Sequence, residues 1–378
     1  MTLPLARVDP DGLLEYSVVF TDRSLNHMSK RFQQAMRDIH AMLCEVYDAE
    51  AAVLVPGGGT FAMETVARQF ALGKRALVVR NGFFSFRWTQ IFEAGNLPSE
   101  ATVIKARPTG NSQPAPFAPP PIEEVTAAIA RDRPHVVIAP HVETSAGIIL
   151  PTAYIAALAA AAHEVDALFV LDCVASGAIW VDMASTGVDV LISAPQKGWS
   201  APPSTGLVML SKRALARLAE TKSNSYALDL ARWRQIMDAY LNGGFAYHST
   251  MPTDALVAFR DAMAETKAFG FERAAAAQQA LGDKVRAMMA ERGFRSVAAP
   301  GFEAPGVVVL YTDDPAIQNG SKFVAEGLQI AAGVPLMCDE PADFRSFRLG
   351  LFGLDKLADV DAAVARLEAA VDRVLAKG

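Results

Sequence analysis

The sequence predicts an α/β large domain, three-layered αβα with a mainly parallel sheet, followed by a smaller α+β domain. Three observations carry this. Short apolar runs alternate with helical stretches through most of the chain, the texture of βαβ units. Those runs are apolar throughout rather than alternating, as strands are when both sheet faces are covered. After Met251 the alternation gives way to long helical stretches.

Taken in order, residues 52–55 read as a strand, Gly57-Gly58-Gly59-Thr60 as a turn, and residues 61–70 as a helix. Residues 76–79 and 103–104 read as further strands. A Pro-rich stretch at 108–121 reads as a surface loop. Residues 122–131 suit a helix, 136–139 a strand, 153–163 an Ala-rich helix and 168–172 a strand. Strands at 188–192 and 206–210 complete the sheet. Beyond Pro252, helices are expected at 254–273, 274–292 and around 322–332. A strand pair at 296–297 and 307–311 and a last helix over 356–376 belong to the smaller domain. The division drawn is an N-terminal arm at 1–23, a large domain at 24–255 and a small domain at 256–378.

Composition bounds the function. With 378 residues, 51% of them hydrophobic, the chain can bury the cores of two or three domains. A net charge of −6 argues against a nucleic-acid partner, whose binding face would be basic and clustered. No apolar run approaches the ~20 residues of a membrane helix, and the first residues lack a signal-peptide pattern. Cys44, Cys173 and Cys338 share no metal-binding spacing, so neither a metal site nor a disulfide framework is expected. A reducing cytoplasm is the default compartment.

Chemistry concentrates at strand ends. Lys197 follows the apolar run 188–192 on a small-residue loop, and Asp172 ends the run 168–172. Burying an ammonium without a partner costs several kcal/mol or more, whereas a lysine condensed with an aldehyde escapes that cost. A lysine and an acid on neighbouring strand ends are what pyridoxal phosphate requires: a Schiff-base amine and a partner for the pyridinium nitrogen. The glycine turn ahead of a helix is either a tight βα connection or a phosphate cradle, and Thr60 could cap the helix or add a hydroxyl to that cradle. Residues 81–88, after another strand, form an aromatic cluster of the kind that usually belongs to a core; an aromatic at a strand's end could instead stack on a flat cofactor ring, and Phe84 is the candidate. Thr144 is placed to donate to the cofactor's phenolate oxygen, and Ser145 reads as a turn residue bonding locally.

In order along the chain, these pieces are Pro56-Gly57-Gly58-Gly59-Thr60, Asn81-Gly82, Val142-Glu143-Thr144-Ser145-Ala146-Gly147, Leu171-Asp172-Cys173-Val174-Ala175-Ser176, Ser193-Ala194-Pro195-Gln196-Lys197, Tyr247-His248-Ser249-Thr250-Met251-Pro252 and Phe347-Arg348-Leu349-Gly350. With them the chain resembles the class V aminotransferases of the fold-type I pyridoxal phosphate enzymes, and within these the alanine–glyoxylate and serine–glyoxylate (serine–pyruvate) group. The resemblance runs from about Ser24 to the C-terminus.

It implies transfer of an amino group from a small amino acid to glyoxylate or pyruvate by ping-pong turnover. Lys197 would form the internal aldimine and shuttle the proton, while Asp172 keeps the ring nitrogen protonated. Gly58, Gly59, Thr60 and Gln196 would hold the phosphate. Phe84 and Val174 would take the two ring faces. Tyr247 and Thr250 would reach the phosphate of the neighbouring subunit, making a homodimer obligatory. Arg348 would clamp the substrate carboxylate.

The resemblance also has departures. The family's N-terminal Pro-Gly-Pro turn is missing. Tyr16, Ser17 and Arg23 are candidates to replace it; otherwise this stretch is a surface arm. His27 reads as a residue at a helix start. Cys338, ten residues before Arg348, raises the alternative of a cysteine desulfurase or β-lyase of the same fold. Against it, Gln196 rather than a histidine precedes Lys197.

Overall fold

The structure is a computed structural model that describes residues 8–110, 112 and 114–376. Residues 1–7 of the expected arm lie outside the described residues. A seven-stranded sheet forms the centre, in the order Ala51–Pro56, Thr205–Leu210, Val190–Ser193, Leu168–Asp172, Val136–Pro140, Arg75–Arg80, Glu100–Lys105. The strand Thr205–Leu210 runs antiparallel to both neighbours, and every other pairing is parallel. Chain order reverses around Arg75–Arg80, which has Glu100–Lys105 on one side and Val136–Pro140 on the other. A crevice opens at the carboxyl ends of strands where such a reversal occurs.

Burial explains the all-apolar strands. Leu168–Asp172, Val190–Ser193 and Thr205–Leu210 are buried at every position. The helices Lys30–Tyr47 and Leu230–Leu241 pack on Ala51–Pro56, Gly59–Phe70 on Thr205–Leu210, and Thr152–Glu164 on Leu168–Asp172. Lys30–Tyr47 was not among the predicted elements, although its sequence carries the signals. Phe32, Ala35, Met36, Ile39, Met42 and Leu43 recur at helical spacing and are buried. The Ser29 hydroxyl caps it by accepting from the Phe32 amide at 3.1 Å.

Several predicted elements change. Residues 83–95 form a helix, Phe83–Gly95, where the sequence reading saw only an aromatic cluster. The Pro-rich stretch is closed by a two-stranded ribbon, Arg107–Pro108 with Phe117–Ala118, and Phe117 is buried. The helix expected around 322–332 stops at Ser321–Ala325. Gly327 then takes φ +79°, and Ala331–Ala332 joins an antiparallel sheet with Val307–Tyr311 and Ser346–Gly350. This sheet and the helices Phe271–Glu291 and Val360–Ala376 share a second core around Leu281, Val285, Val308, Phe347, Leu349 and Val371. Leu256, Val257, Phe259 and Met263 of the preceding helix Thr253–Phe269 belong instead to the large core. We therefore propose to place the domain boundary at Gly270, between the two helices, rather than at 255/256.

Candidate active site

Asp172 and Lys197 lie at the carboxyl ends of adjacent parallel strands, Leu168–Asp172 and Val190–Ser193. Asp172 is 8% exposed, and its Oδ1 accepts the Val174 amide at 3.0 Å. Burial pushes its carboxyl up to about 6, against the pull of that amide; Glu143 adds to the rise, and Lys197 and Arg87 oppose it. Burial lowers the proton affinity of the partly buried Lys197 amine, Asp172 opposes, and the positive charge of Arg348 lowers it further. The Lys197 Nζ stands 5.5 Å from the ring centre of Phe352.

Beside Asp172, the helix Gly59–Phe70 begins with Gly58 as its cap and no side-chain cap bond. Its first amides therefore carry the positive end of the helix dipole unanswered by a side chain. A Cβ on Gly59 would sit 2.7 Å from Val174 Cγ2, so only glycine lets this helix start close against the loop after Asp172. The Thr60 hydroxyl accepts from Arg87 Nη1 at 2.9 Å.

Phe84 is held by a buried carboxylate. Glu143 Oε1 accepts the amides of Phe84 and Ser145, both at 3.1 Å, and the Ser145 hydroxyl at 2.7 Å. Its Oε2 accepts the Ser85 amide at 2.9 Å and the Ser85 hydroxyl at 2.7 Å. Glu143 thus answers the free amides at the start of Phe83–Gly95 with its two acceptor oxygens. Ser145 is more than a local turn residue, since its hydroxyl also accepts the Phe83 amide at 2.8 Å. A Cβ on Gly82 would lie 2.7 Å from Glu143 Cγ, which is why the turn carries glycine. Thr144, next to Glu143, has a buried hydroxyl with no hydrogen-bond partner.

Arg348 arrives from the smaller domain on Ser346–Gly350. Its Nε donates to the Ala332 carbonyl at 2.9 Å, and its Cζ lies 5.4 Å from the Phe84 ring centre. Burial lowers its proton affinity and Glu143 opposes.

Lys197, Asp172, Val174, Gly59, Thr60, Phe84 and Arg348 therefore gather in one crevice, joined through these contacts. Gln196 is exposed on the loop before Lys197, and Gly58 caps the cradle. Tyr247 and Thr250 are bonded to each other at 3.0 Å beside His27, whose ring centre is 5.6 Å from that of Tyr247. Nothing described connects this pair to Lys197 of the same chain. Tyr16 is 89% exposed, Arg23 is exposed, and the Ser17 hydroxyl accepts from Asn26 at 3.3 Å; among the described contacts none joins these three to Lys197 or Arg348 of the same chain. His27 precedes the Ser29 cap and lies outside the helix.

Two residues of the crevice escaped the sequence reading, Arg87 and Phe352. Arg87 lies one turn after Phe84 and on its side of the helix, a spacing visible only once residues 83–95 are assigned as helical. A separate cavity of about 680 Å³ opens between Phe117, Phe294, Tyr311 and Phe344, and no predicted site residue lines it.

A family model described as aminotransferase class-V matches residues 13–345. A protein named soluble hydrogenase, small subunit, from Synechococcus sp. (strain PCC 6716) is 28% identical over 351 residues, covering 91% of this chain and 86% of that protein. The 2-aminoethylphosphonate–pyruvate transaminase of Burkholderia ambifaria (strain MC40-6) is 30% identical over 339 residues, covering 86% of this chain and 83% of that protein. Among solved structures, an alanine–glyoxylate aminotransferase from Nostoc sp. superposes with a TM-score of 0.78 at 22% identity, covering 93% of this chain and 89% of that one.

Proposed function

The chain belongs to the class-V aminotransferase family and is a pyridoxal-phosphate-dependent transaminase; from that premise we propose that it moves an amino group from a small donor to glyoxylate or pyruvate. The observation that carries the reading is the placement of the buried Asp172 at, and Lys197 after, the carboxyl ends of adjacent parallel strands, close enough for each charge to act on the other. The acceptor class is supported by relatives named for pyruvate and glyoxylate.

The residues present fit the cofactor. Among the described residues a buried Thr144 hydroxyl lacks a partner, the helix beside Asp172 and Val174 starts without a side-chain cap, and the buried Asp172 carboxyl makes no ion-pair contact. Gly58, Gly59, Thr60 and Gln196 are the proposed phosphate ligands, Phe84 and Val174 the walls on the two ring faces, and Thr144 the donor to the phenolate oxygen. When bound, pyridoxal phosphate supplies an electron-accepting ring conjugated to the donor's nitrogen.

The chain's own groups do the rest. The Lys197 amine, its proton affinity reduced by burial, is the chain's own base for taking the proton from the donor's carbon and returning it elsewhere. Asp172 would be the partner of the ring nitrogen, and its carboxylate would favour the protonated form there, because a buried carboxyl gains most from ionising when a cation faces it. The Arg348 guanidinium offers a planar fork to the substrate carboxylate, its Nε already fixed on Ala332.

The working unit is proposed to be a homodimer. Among the described residues nothing links Tyr247 and Thr250 to the crevice of their own chain, and Leu13, Leu14, Tyr16, Val18 and Phe245 are exposed apolar or aromatic side chains. Light scattering at working concentrations would return a monomer mass if this is wrong. For the reaction, single amino acids added to the yellow holoenzyme should bleach it through conversion to the pyridoxamine form, with alanine, serine and 2-aminoethylphosphonate as the first panel. Lys197→Ala should remove both the borohydride-sensitive colour and turnover. A protein that binds no pyridoxal phosphate would sink the reading.

A further inference from the structure

Arg87 is a cation in an unusual place. Its Nη1 bonds Thr60 in the first turn of Gly59–Phe70, the positive end of that helix. A guanidinium there adds to the dipole instead of opposing it, which is unfavourable unless an anion intervenes. Among the described residues Arg87 makes no hydrogen bond or ion pair with a carboxylate: its contacts are Thr60 and the Phe84 ring, whose centre is 5.2 Å from its Cζ, and its charge acts on Asp172 and Lys197 only through space. By contrast Arg68, further along the Gly59–Phe70 helix, is paired with Glu64 at 2.6 Å.

Two cations approach the Phe84 ring, Arg87 at 5.2 Å and Arg348 at 5.4 Å. Arg348 comes from the smaller domain, while Arg87 is fixed to the glycine cradle through Thr60. The two cations are thus held by different parts of the fold, and each can serve its own anion. The one beside the cradle has a helix start, a hydroxyl and a guanidinium converging on it, a donor set suited to a phosphate dianion.

We propose that Arg87 is the cation of the cofactor's phosphate site, and that it sets the preference for pyridoxal phosphate over pyridoxal while positioning the Thr60 hydroxyl. The proposal rests on the transaminase reading above, which its test separates from it. Cofactor-free protein is titrated with pyridoxal phosphate and with pyridoxal, following absorbance, for the wild type, Arg87→Met and Arg87→Lys. Arg87→Met keeps a long apolar stem against Phe84 but no charge. The expected result is a loss of about 10- to 100-fold in pyridoxal phosphate affinity, the span of one charge-assisted contact, with pyridoxal binding unchanged. Arg87→Lys, which keeps the charge, should recover part of the loss. Equal weakening toward both compounds would overturn the proposal and make Arg87 a support for Phe84. Unchanged pyridoxal phosphate affinity with a raised KM for acidic substrates would overturn it in favour of a substrate subsite. A wild type that binds neither compound would instead remove the transaminase reading, and the assignment with it.

Discussion

Glu143 Oε2 accepts the Ser85 hydroxyl at 2.7 Å, tying the loop after Val136–Pro140 to the helix that follows Arg75–Arg80. The carboxylate is fully buried and takes five donors from Phe84, Ser85 and Ser145. Removing it strands those donors. Glu143→Ala should therefore destabilise the protein by about 3 kcal/mol, the scale of breaking a buried charged network. Urea midpoints would measure this. Because Glu143 also sets the start of the Phe84 helix, cofactor affinity should fall with it; a shift in the midpoint below about 0.5 kcal/mol, the range of a neutral surface change, would contradict the account.

That network shows why some of the site was legible and some was not. Lys197, Asp172 and the glycine turn were readable because each sits where an apolar run ends, and an apolar run is a strong local signal. Phe83–Gly95 was not readable as a helix, since its first residues are aromatic and its cap comes from Glu143, nearly sixty residues away. Propensity cannot register a cap supplied from another strand end. Arg87 was lost with that helix. The residues 322–332 failed for the opposite reason: Gly327 in the left-handed region and pairing with Ser346–Gly350 override a locally helical composition.

Asp172 gives a pH prediction for the cofactor-free protein. Burial raises its carboxyl from the ordinary carboxylate range to about 6. For an acid raised in the folded state, the native form binds more protons than the unfolded form between the two values. Stability from this group is thus greatest below about pH 4, falls as pH rises toward 6, and stays reduced above. The span is about 3 kcal/mol at 1.36 kcal/mol per pKa unit. Asp172→Asn should flatten that slope and leave the cofactor-free protein more stable than wild type at pH 8, while transamination collapses. Urea titrations at pH 4.5 and 8 on both proteins decide it; identical slopes would refute the assignment of the slope to Asp172.

Arg348 tests the carboxylate clamp. Its Nε is committed to Ala332 at 2.9 Å, leaving the outer guanidinium nitrogens for a substrate. A lysine has no second donor arm to keep both contacts. Arg348→Lys should raise KM for the amino donor roughly 30- to 100-fold, with kcat lowered less, as for loss of a bidentate ion pair. Cofactor affinity should stay near wild type, which separates Arg348 from Arg87. A KM unchanged by Arg348→Lys would move the substrate carboxylate elsewhere.

Cys338 decides between transamination and desulfuration. The alternative needs a thiolate nucleophile on a mobile, accessible loop. The structure gives a thiol 3% exposed that donates to the Arg80 carbonyl at 3.5 Å. Its loop is pinned by Glu340, whose carboxylate accepts the Leu336, Met337 and Cys338 amides at 2.6, 3.1 and 2.9 Å. Burial pushes the thiol up to about 12, and Glu143 and Glu340 push the same way. At neutral pH that is about one thiolate in 10⁵. Cys338→Ala should therefore leave transamination within about twofold, with a stability loss near 1 kcal/mol for the small cavity. In the native protein a thiol reagent should reach the partly exposed Cys44 first, and Cys338 and Cys173 only on unfolding. Sulfide released from cysteine by the wild type and abolished in Cys338→Ala would reverse this assignment and restore the desulfurase.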